Sequence, residues 1–144
     1  MGTRREAREL ALQALYQLDV AGDAGPAADL GVFWSHFQAE PDVRGFAREL
    51  VDGVRENGER IDALIGAAAE HWRLPRLSRV DLNLLRLATF ELLARRDIPA
   101  AVTLDEAVEI ARRFGSEDSP AFVNGVLDRI ADVLGVKEKP RTAE

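Results

Sequence analysis

The sequence contains no cysteine, only two histidines and few aromatic residues, which make up 6% of it. A chain without cysteine forms no disulfides and fits a reducing cytosol. The two histidines, His36 and His71, are separated in sequence and do not suggest a zinc site. No apolar run approaches the roughly 20 residues that a membrane span needs, and the N-terminus lacks a hydrophobic block of signal-peptide type. We therefore expect a cytoplasmic protein without metal.

Residues that favour β-strands are also scarce. Alanine and leucine are abundant, and no useful run alternates apolar and polar residues, so helices are expected throughout. A chain of 144 residues is long enough for one domain to bury a core unaided. We predict an all-α fold, a compact bundle of about seven helices. Residues 1–135 form the single domain, and 136–144 form a flexible C-terminal tail.

No combination of residues typical of catalysis is present. The Glu-x-x-His pairs of di-iron bundles are absent, serines lack a credible histidine partner, and no glycine-rich phosphate loop follows a strand. We therefore expect neither an enzyme nor a cofactor. The net charge is −6, so a nucleic-acid partner would require a local basic contact.

The first amphipathic helix opens with three arginines: Arg4, Arg5 and Arg8. Thr3 and Glu6 form a capping-box pattern at its start. The apolar stripe from Ala7 to Leu18 leaves the arginines on the other side of the helix. Because a helix N-terminus already carries about half a positive charge, the arginines favour an anion there, such as an RNA phosphate. The alternative is a solvated cluster that Glu6 and Glu9 partly neutralise.

Tyr16 continues the line of Arg5, Arg8 and Leu12, since these positions are three or four residues apart. A tyrosine on that line can stack on a base or pack against a partner protein. The alternative is a half-buried core tyrosine with its hydroxyl in water.

Helical periodicity continues through the middle of the chain. Leu30–Phe37 is expected to form a short apolar helix, and Asp42 is expected to cap a longer one. The long segment should bend or break near Asn57-Gly58, and Pro75 should end it.

The segment from Val80 to Leu93 is apolar on most sides, which is typical of a central helix. Ser78 is a candidate cap for it. Its polar residues are expected to mark its accessible edge: Asp81, Asn83 and Arg86. Thr103 and Glu106 resemble the capping box of the following helix.

Residues 114–128, FGSEDSPAFVNGVLD, contain several helix stop and start signals. Gly115 is expected to be a left-handed helix stop, and Ser119 the cap of a helix with Pro120 at its first position. Gly125 lies inside an apolar helical run, which indicates a closely crossing backbone. Gly135 should stop this last helix.

Three residues of this stretch permit two interpretations each. Phe114 is either a core anchor or a stacking platform. Asp118, after Glu117, either favours the helix start or accepts hydrogen bonds from base amino groups. Ser119 is either a cap or an RNA contact.

Three segments together resemble the NusB family of bacterial transcription antitermination factors. They are RREARELALQALYQLD, RVDLNLLRLATFELLARRDIPAAVTLDEAVEIARRFG and FGSEDSPAFVNGVLD. The resemblance implies two three-helix subdomains, led by Thr3–Leu18 and Ser78–Leu93. It further implies binding of the boxA element of ribosomal RNA leaders as a heterodimer with NusE, a small ribosomal subunit protein. That complex joins NusA, NusG and RNA polymerase, so that transcription passes terminators.

The resemblance also assigns residues by position. Those implied to bind RNA are Arg4, Arg5, Arg8, Tyr16, Phe114, Asp118, Ser119 and Phe122. Those implied to face NusE are Arg76, Arg79 and Asp81. Asp81 stands where the family more often has glutamate, and Pro120 replaces a commonly polar residue, which argues against an RNA contact from that side chain.

Three questions stay open at this point. A homodimer that masks the RNA surface is compatible with the apolar and arginine-bearing helix faces. A helical protein–protein adaptor without RNA binding of its own is the main alternative function. A relative of the NusB-like domain of RNA cytosine methyltransferases is another, although the sequence offers no cofactor pocket.

Overall fold

The computed structural model describes residues 3–22, 30–37, 39–70 and 73–137, and these ranges contain helices and no strand. The all-α prediction is therefore confirmed. The α-helices are α1 (Thr3–Ala21), α2 (Gly31–His36), α3 (Pro41–Glu56), α4 (Gly58–Ala68), α5 (Arg79–Ala94), α6 (Ala100–Phe114) and α7 (Ser119–Leu134). A short 3-10 helix, Leu74–Arg76, precedes α5. No helix in these ranges is both long and apolar enough to cross a bilayer.

Helix α5 is the central element, as its apolar sequence predicts. It contacts α1, α3, α4, α6 and α7, and Leu84, Leu85 and Leu92 on it are fully buried. The pairs α1–α3 and α6–α7 each pack closely together, and both pairs pack against α5. One continuous hydrophobic cluster includes residues from all of these helices, so α5 joins the two ends of the chain in a single core.

Several predicted helix boundaries are confirmed. Ser78 caps α5, because its Oγ accepts a hydrogen bond from the Asp81 backbone N–H at 3.0 Å. The break near Asn57-Gly58 lies between α3 and α4, where Asn57 Nδ2 donates to the Gly53 carbonyl at 2.8 Å. Gly135 ends α7 with a left-handed φ of 71°. The predicted short helix is α2.

Three predicted caps are wrong. Asp42 is already inside α3, which begins at Pro41 after Glu40. Thr103 lies in the second turn of α6, which begins at Ala100. Ser119 is the first residue of α7 rather than its cap, and the capping position is Asp118, whose side chain makes no capping hydrogen bond. The side chains of Thr103 and Ser119 form tertiary and loop hydrogen bonds instead, which their local sequence does not reveal.

The predicted helix end at Pro75 needs correction, and some other predictions concern residues that the structure does not describe. The helix expected to run to Pro75 ends at Ala68, and Pro75 lies within the 3-10 helix. The predicted tail, 136–144, begins too early, because Val136 is 3% exposed and belongs to the core. Helix α1 begins at Thr3, but the side chain of Thr3 lies outside the described residues, as do His71 and residues 138–144.

Gly115 and Gly125 act differently from the sequence expectation. Gly115 has an extended backbone, with φ −94° and ψ −168°, rather than a left-handed one. A Cβ there would lie 2.5 Å from Ser119 Oγ and 2.9 Å from the Ala111 carbonyl oxygen, so the position needs glycine for space. At Gly125 no atom of the described residues lies within 4 Å of a Cβ, so no backbone in that part of the chain crosses closely. The close approach is at Gly53 instead, where a Cβ would overlap the Phe90 ring.

Candidate nucleic-acid interface

An apolar groove of about 540 Å³ runs between α1, α2 and the C-terminal end of α6. Tyr16 and Phe114 both line it, together with Leu12, Phe33, Phe37 and Val80. Tyr16 is 42% exposed and Phe114 is 38% exposed, although large apolar residues are usually buried. The structure thus brings together two aromatic residues from distant parts of the chain, and their accessible rings can stack on planar groups.

A second, smaller pocket of about 170 Å³ lies where the start of α5 faces the start of α7. It is lined by Arg76, Leu77, Ser78, Asp81, Asp118 and Phe122. Val80 lines the first groove and Asp81 the second pocket, so each includes a residue from the first turn of α5. Residues assigned by resemblance to RNA and residues assigned to a partner therefore share one pocket.

Arg8 does not lie on an accessible face, so this part of the sequence prediction is wrong. It is 3% exposed and forms a bidentate ion pair with Glu91, with Nε 2.6 Å from Oε2 and Nη2 2.8 Å from Oε1. Thr103 Oγ1 also donates to Glu91 Oε1, at 3.0 Å. The pair links α1, α5 and α6 inside the core, where Arg8 is not available to a phosphate.

Arg5 is accessible but is partly committed to Glu106. Arg5 Nη2 lies 2.9 Å from Glu106 Oε2, Arg5 Nε bonds the other carboxylate oxygen, and the Arg5 side chain is 42% exposed. These hydrogen bonds raise the pKa of Arg5 and lower the pKa of Glu106. The remaining guanidinium N–H groups of Arg5 can still donate to an anion.

Arg4 is exposed, and its guanidinium carbon lies over the Phe46 ring, 4.8 Å from the ring centroid. It forms no ion pair with a carboxylate in the described part of the chain. The three arginines at the start of α1 therefore have different environments. Arg8 is buried, Arg5 is hydrogen-bonded to a carboxylate, and Arg4 contacts an aromatic ring.

Arg113, which contacts the groove residue Phe114, is a basic residue that the sequence reasoning missed. Its guanidinium lies over the Phe114 ring, 5.1 Å from the centroid, and its Nη1 lies 2.9 Å from Glu9 Oε1. The available signal was its position next to Phe114 at the end of a helix, where a basic side chain also interacts favourably with the helix dipole.

The residues at the start of α7 divide into accessible and inaccessible ones. Asp118 is exposed, and Phe122 is half-buried. Ser119 is 1% exposed, and its Oγ accepts a hydrogen bond from the Ser116 backbone N–H at 3.0 Å. The Ser119 hydroxyl therefore closes the loop between α6 and α7 and is not exposed to a ligand.

The polar residues of α5 are less accessible than predicted. Asn83 is 1% exposed and donates to Asp19 Oδ2 at 2.9 Å, so its expected place at an accessible edge is wrong. Arg79 is exposed but pairs with Asp19 at 2.6 Å. Asp81 is half-buried, and its Oδ1 has no hydrogen-bond partner within the described residues. Of the residues predicted to face NusE, Asp81 and Arg76 therefore have the hydrogen-bonding atoms that are most available to a partner.

Comparison with known proteins places this arrangement in a family. A family model described as the NusB family matches residues 5–132. The transcription antitermination protein NusB of Sorangium cellulosum is 48% identical over 141 residues, covering 98% of this chain and 100% of that protein. Of the solved structures, T. maritima NusB matches with a TM-score of 0.80 and 45% identity, over 90% of each chain. Another, described as antitermination factors NusB and NusE in complex with dsRNA, matches with a TM-score of 0.76 and 27% identity, over 92% of this chain and 98% of that one.

The helical bundle around α5 thus has the fold of solved NusB structures. The chain belongs to the NusB family, as the three sequence segments indicate.

Proposed function

We propose that this chain is a transcription antitermination factor that binds the boxA element of ribosomal RNA leader transcripts together with NusE. Its family membership and its likeness to a NusB–NusE–dsRNA complex support this function. The structural observation that carries it is the groove shared by Tyr16 and Phe114. Two accessible aromatic rings beside basic side chains are the arrangement that single-stranded RNA recognition uses.

In this proposal each accessible residue has a distinct role. Arg4 and Arg5 neutralise phosphates, while Tyr16 and Phe114 stack on unpaired bases. Asp118 accepts hydrogen bonds from base amino groups, which a phosphate-binding cation cannot do. Arg8 and Ser119 leave the set of RNA contacts, because both are buried and hydrogen-bonded.

The edge of the second pocket is the proposed contact with NusE. Asp81 and Arg76 lie there with Phe122, and the buried Oδ1 of Asp81 is an acceptor in need of a donor. Arg79 is part of this edge but is held by Asp19. Because the pocket also contains Asp118, RNA and partner would bind side by side. NusA, NusG and RNA polymerase would join through this assembly.

The test is a salt-titrated binding assay with a fluorescent boxA RNA and a scrambled RNA of equal length, each with and without NusE. If Arg4 and Arg5 neutralise about two phosphates, the slope of log affinity against log salt is about −1.4 for single-stranded RNA. We expect selective binding of the boxA RNA that NusE tightens.

A Tyr16→Ala variant should lose boxA affinity by roughly 5- to 100-fold, the effect of removing one base stack. Val133→Ala, which changes an exposed apolar residue of α7 outside the groove, is the matched control and should bind normally. Equal, weak binding to both RNAs under all conditions would contradict the proposal and favour a protein–protein adaptor.

A further inference from the structure

Three arginines converge on one aromatic ring at the start of α1. The guanidinium carbons of Arg4, Arg95 and Arg8 lie 4.8, 5.1 and 5.6 Å from the centroid of Phe46, which is half-buried on α3. A guanidinium within about 6 Å of a ring centroid is attracted by the negative face of the ring. Phe46 therefore contacts arginine side chains both from α1 and from the C-terminal end of α5.

Two of these three arginines form ion pairs with carboxylates, and the third does not within the described residues. Arg8 is paired with Glu91 in the core. Arg95 is paired with Asp97 at 2.9 Å and with Glu49 at 3.1 Å. Arg4 has the ring contact but no ion pair with a carboxylate among the described residues. The hydrogen bonds of the nearby Asp97 carboxylate go to Arg95 and lower its pKa, and the charge of Arg4 helps to lower it further.

The kind of contact determines which hydrogen-bond donors remain. A carboxylate partner accepts N–H bonds, as Glu106 does from two nitrogens of Arg5. A ring face attracts the cation through its quadrupole and supplies no acceptor oxygen. Arg4 is thus held over Phe46 while its five guanidinium N–H groups stay available for a phosphate.

We propose that Phe46 is a positioning residue for RNA binding, which holds the Arg4 guanidinium in place without consuming its donors. This inference rests on the RNA-binding function proposed above. Holding Arg4 in advance reduces the side-chain entropy that is lost when a phosphate binds. Phe46 does not itself contact RNA in this role.

The test is a double-mutant cycle measured by boxA RNA binding with the full chain and NusE. Phe46→Leu removes the ring and keeps an apolar side chain, and we expect affinity to fall about two- to fivefold, the effect of an exposed cation–π contact. The salt slope should stay unchanged, because the charge of Arg4 is still present. Arg4→Ala should make the slope of log affinity against log salt less steep by about 0.7, because one phosphate contact is lost. In the Arg4→Ala background, Phe46→Leu should then have no further effect.

The matched control is Arg48→Ala, which removes a similar contact from the same helix. Arg48 is exposed and lies 5.2 Å from the Trp34 ring, so its loss should leave RNA affinity within twofold of wild type. Phe46→Tyr keeps the ring and should retain wild-type affinity. Circular dichroism and thermal melting verify that each variant is folded.

An equal loss from Phe46→Leu in both backgrounds would assign Phe46 to packing alone and overturn the inference, as would no loss in either. If Phe46→Leu does not fold, Phe46→Met replaces it in the same cycle, since methionine also removes the ring and keeps an apolar side chain. Failure of the wild-type chain to bind either RNA would overturn the proposed function together with it.

Discussion

Replacing Arg8 by methionine should strongly destabilise the fold and so separate a structural arginine from an RNA-binding one. Arg8 and Glu91 are 3% and 0% exposed and share two hydrogen bonds of 2.6 and 2.8 Å. Methionine fills much of the space of the arginine stem but leaves the Glu91 carboxylate buried without its cation. Breaking a buried pair in this way costs about 3–5 kcal/mol. That is a large part of a typical total stability of about 5–15 kcal/mol.

Urea denaturation followed by circular dichroism measures this loss, and the double variant Arg8→Met/Glu91→Leu identifies its origin. With both charges removed, the core loses the uncompensated carboxylate, so the double variant should be more stable than Arg8→Met alone. It should remain less stable than wild type by up to about 2 kcal/mol, because the Thr103 hydroxyl loses its acceptor. Glu106→Ala breaks the more exposed pair with Arg5 and should cost only about 0–1 kcal/mol.

RNA binding by the double variant is the decisive measurement. Because Arg8 is buried, we expect the boxA affinity of the folded Arg8→Met/Glu91→Leu protein to stay within twofold of wild type. A tenfold loss of affinity together with a shallower salt slope would mean that Arg8 contacts a phosphate. An Arg8→Met variant as stable as wild type would show that the ion pair does not hold α1 on α5.

Two further predictions concern glycines and pH. Gly53→Ala should lower the free energy of unfolding by about 1–3 kcal/mol, because the new methyl group overlaps the Phe90 ring; Gly125→Ala, with open space around it, should raise it by about 0.5–1 kcal/mol in the same urea titration. The lowered pKa of Glu106 gives stability that is present above its ordinary value of 4.5 and is lost as the pH falls below it. Glu106→Gln should therefore show a weaker loss of stability with falling pH than wild type, and parallel curves would contradict this assignment.

The fold was predictable where the physical cause is local. The apolar run of α5, the Ser78 cap and the stop at Gly135 each depend on a few neighbouring residues, and all are confirmed. The caps expected of Thr103 and Ser119 were wrong, because their hydroxyls bond to Glu91 and to the Ser116 loop instead. A hydroxyl near a helix start has several nearby donors and acceptors, and only the tertiary structure selects among them.

The candidate site was predictable in part. The family resemblance identified Tyr16 and Phe114 as candidate RNA contacts, but only the structure showed that they line one groove. The buried pair of Arg8 and Glu91 was missed, although two signals existed. Glu91 interrupts a helix that is apolar on most sides, and a carboxylate there needs a partner. Arg8 lies three and seven residues before Ala11 and Leu15, which places it on the buried stripe. The pairing itself joins residues far apart in sequence and required the structure.

The pairing of the arginines has a consequence for how such an acidic protein would bind RNA. With a net charge of −6 and Arg8 removed from the surface, the long-range field does not favour a polyanion. In the proposed role, Arg4 and Arg5 would supply an attraction limited to about two phosphates, which salt would weaken only moderately. Selectivity would then depend on stacking in the groove of Tyr16 and Phe114 and on the second pocket, which contains Asp81 and Asp118. Because that pocket is also the proposed partner contact, NusE would strengthen RNA binding by completing the same surface rather than by adding charge at a distance.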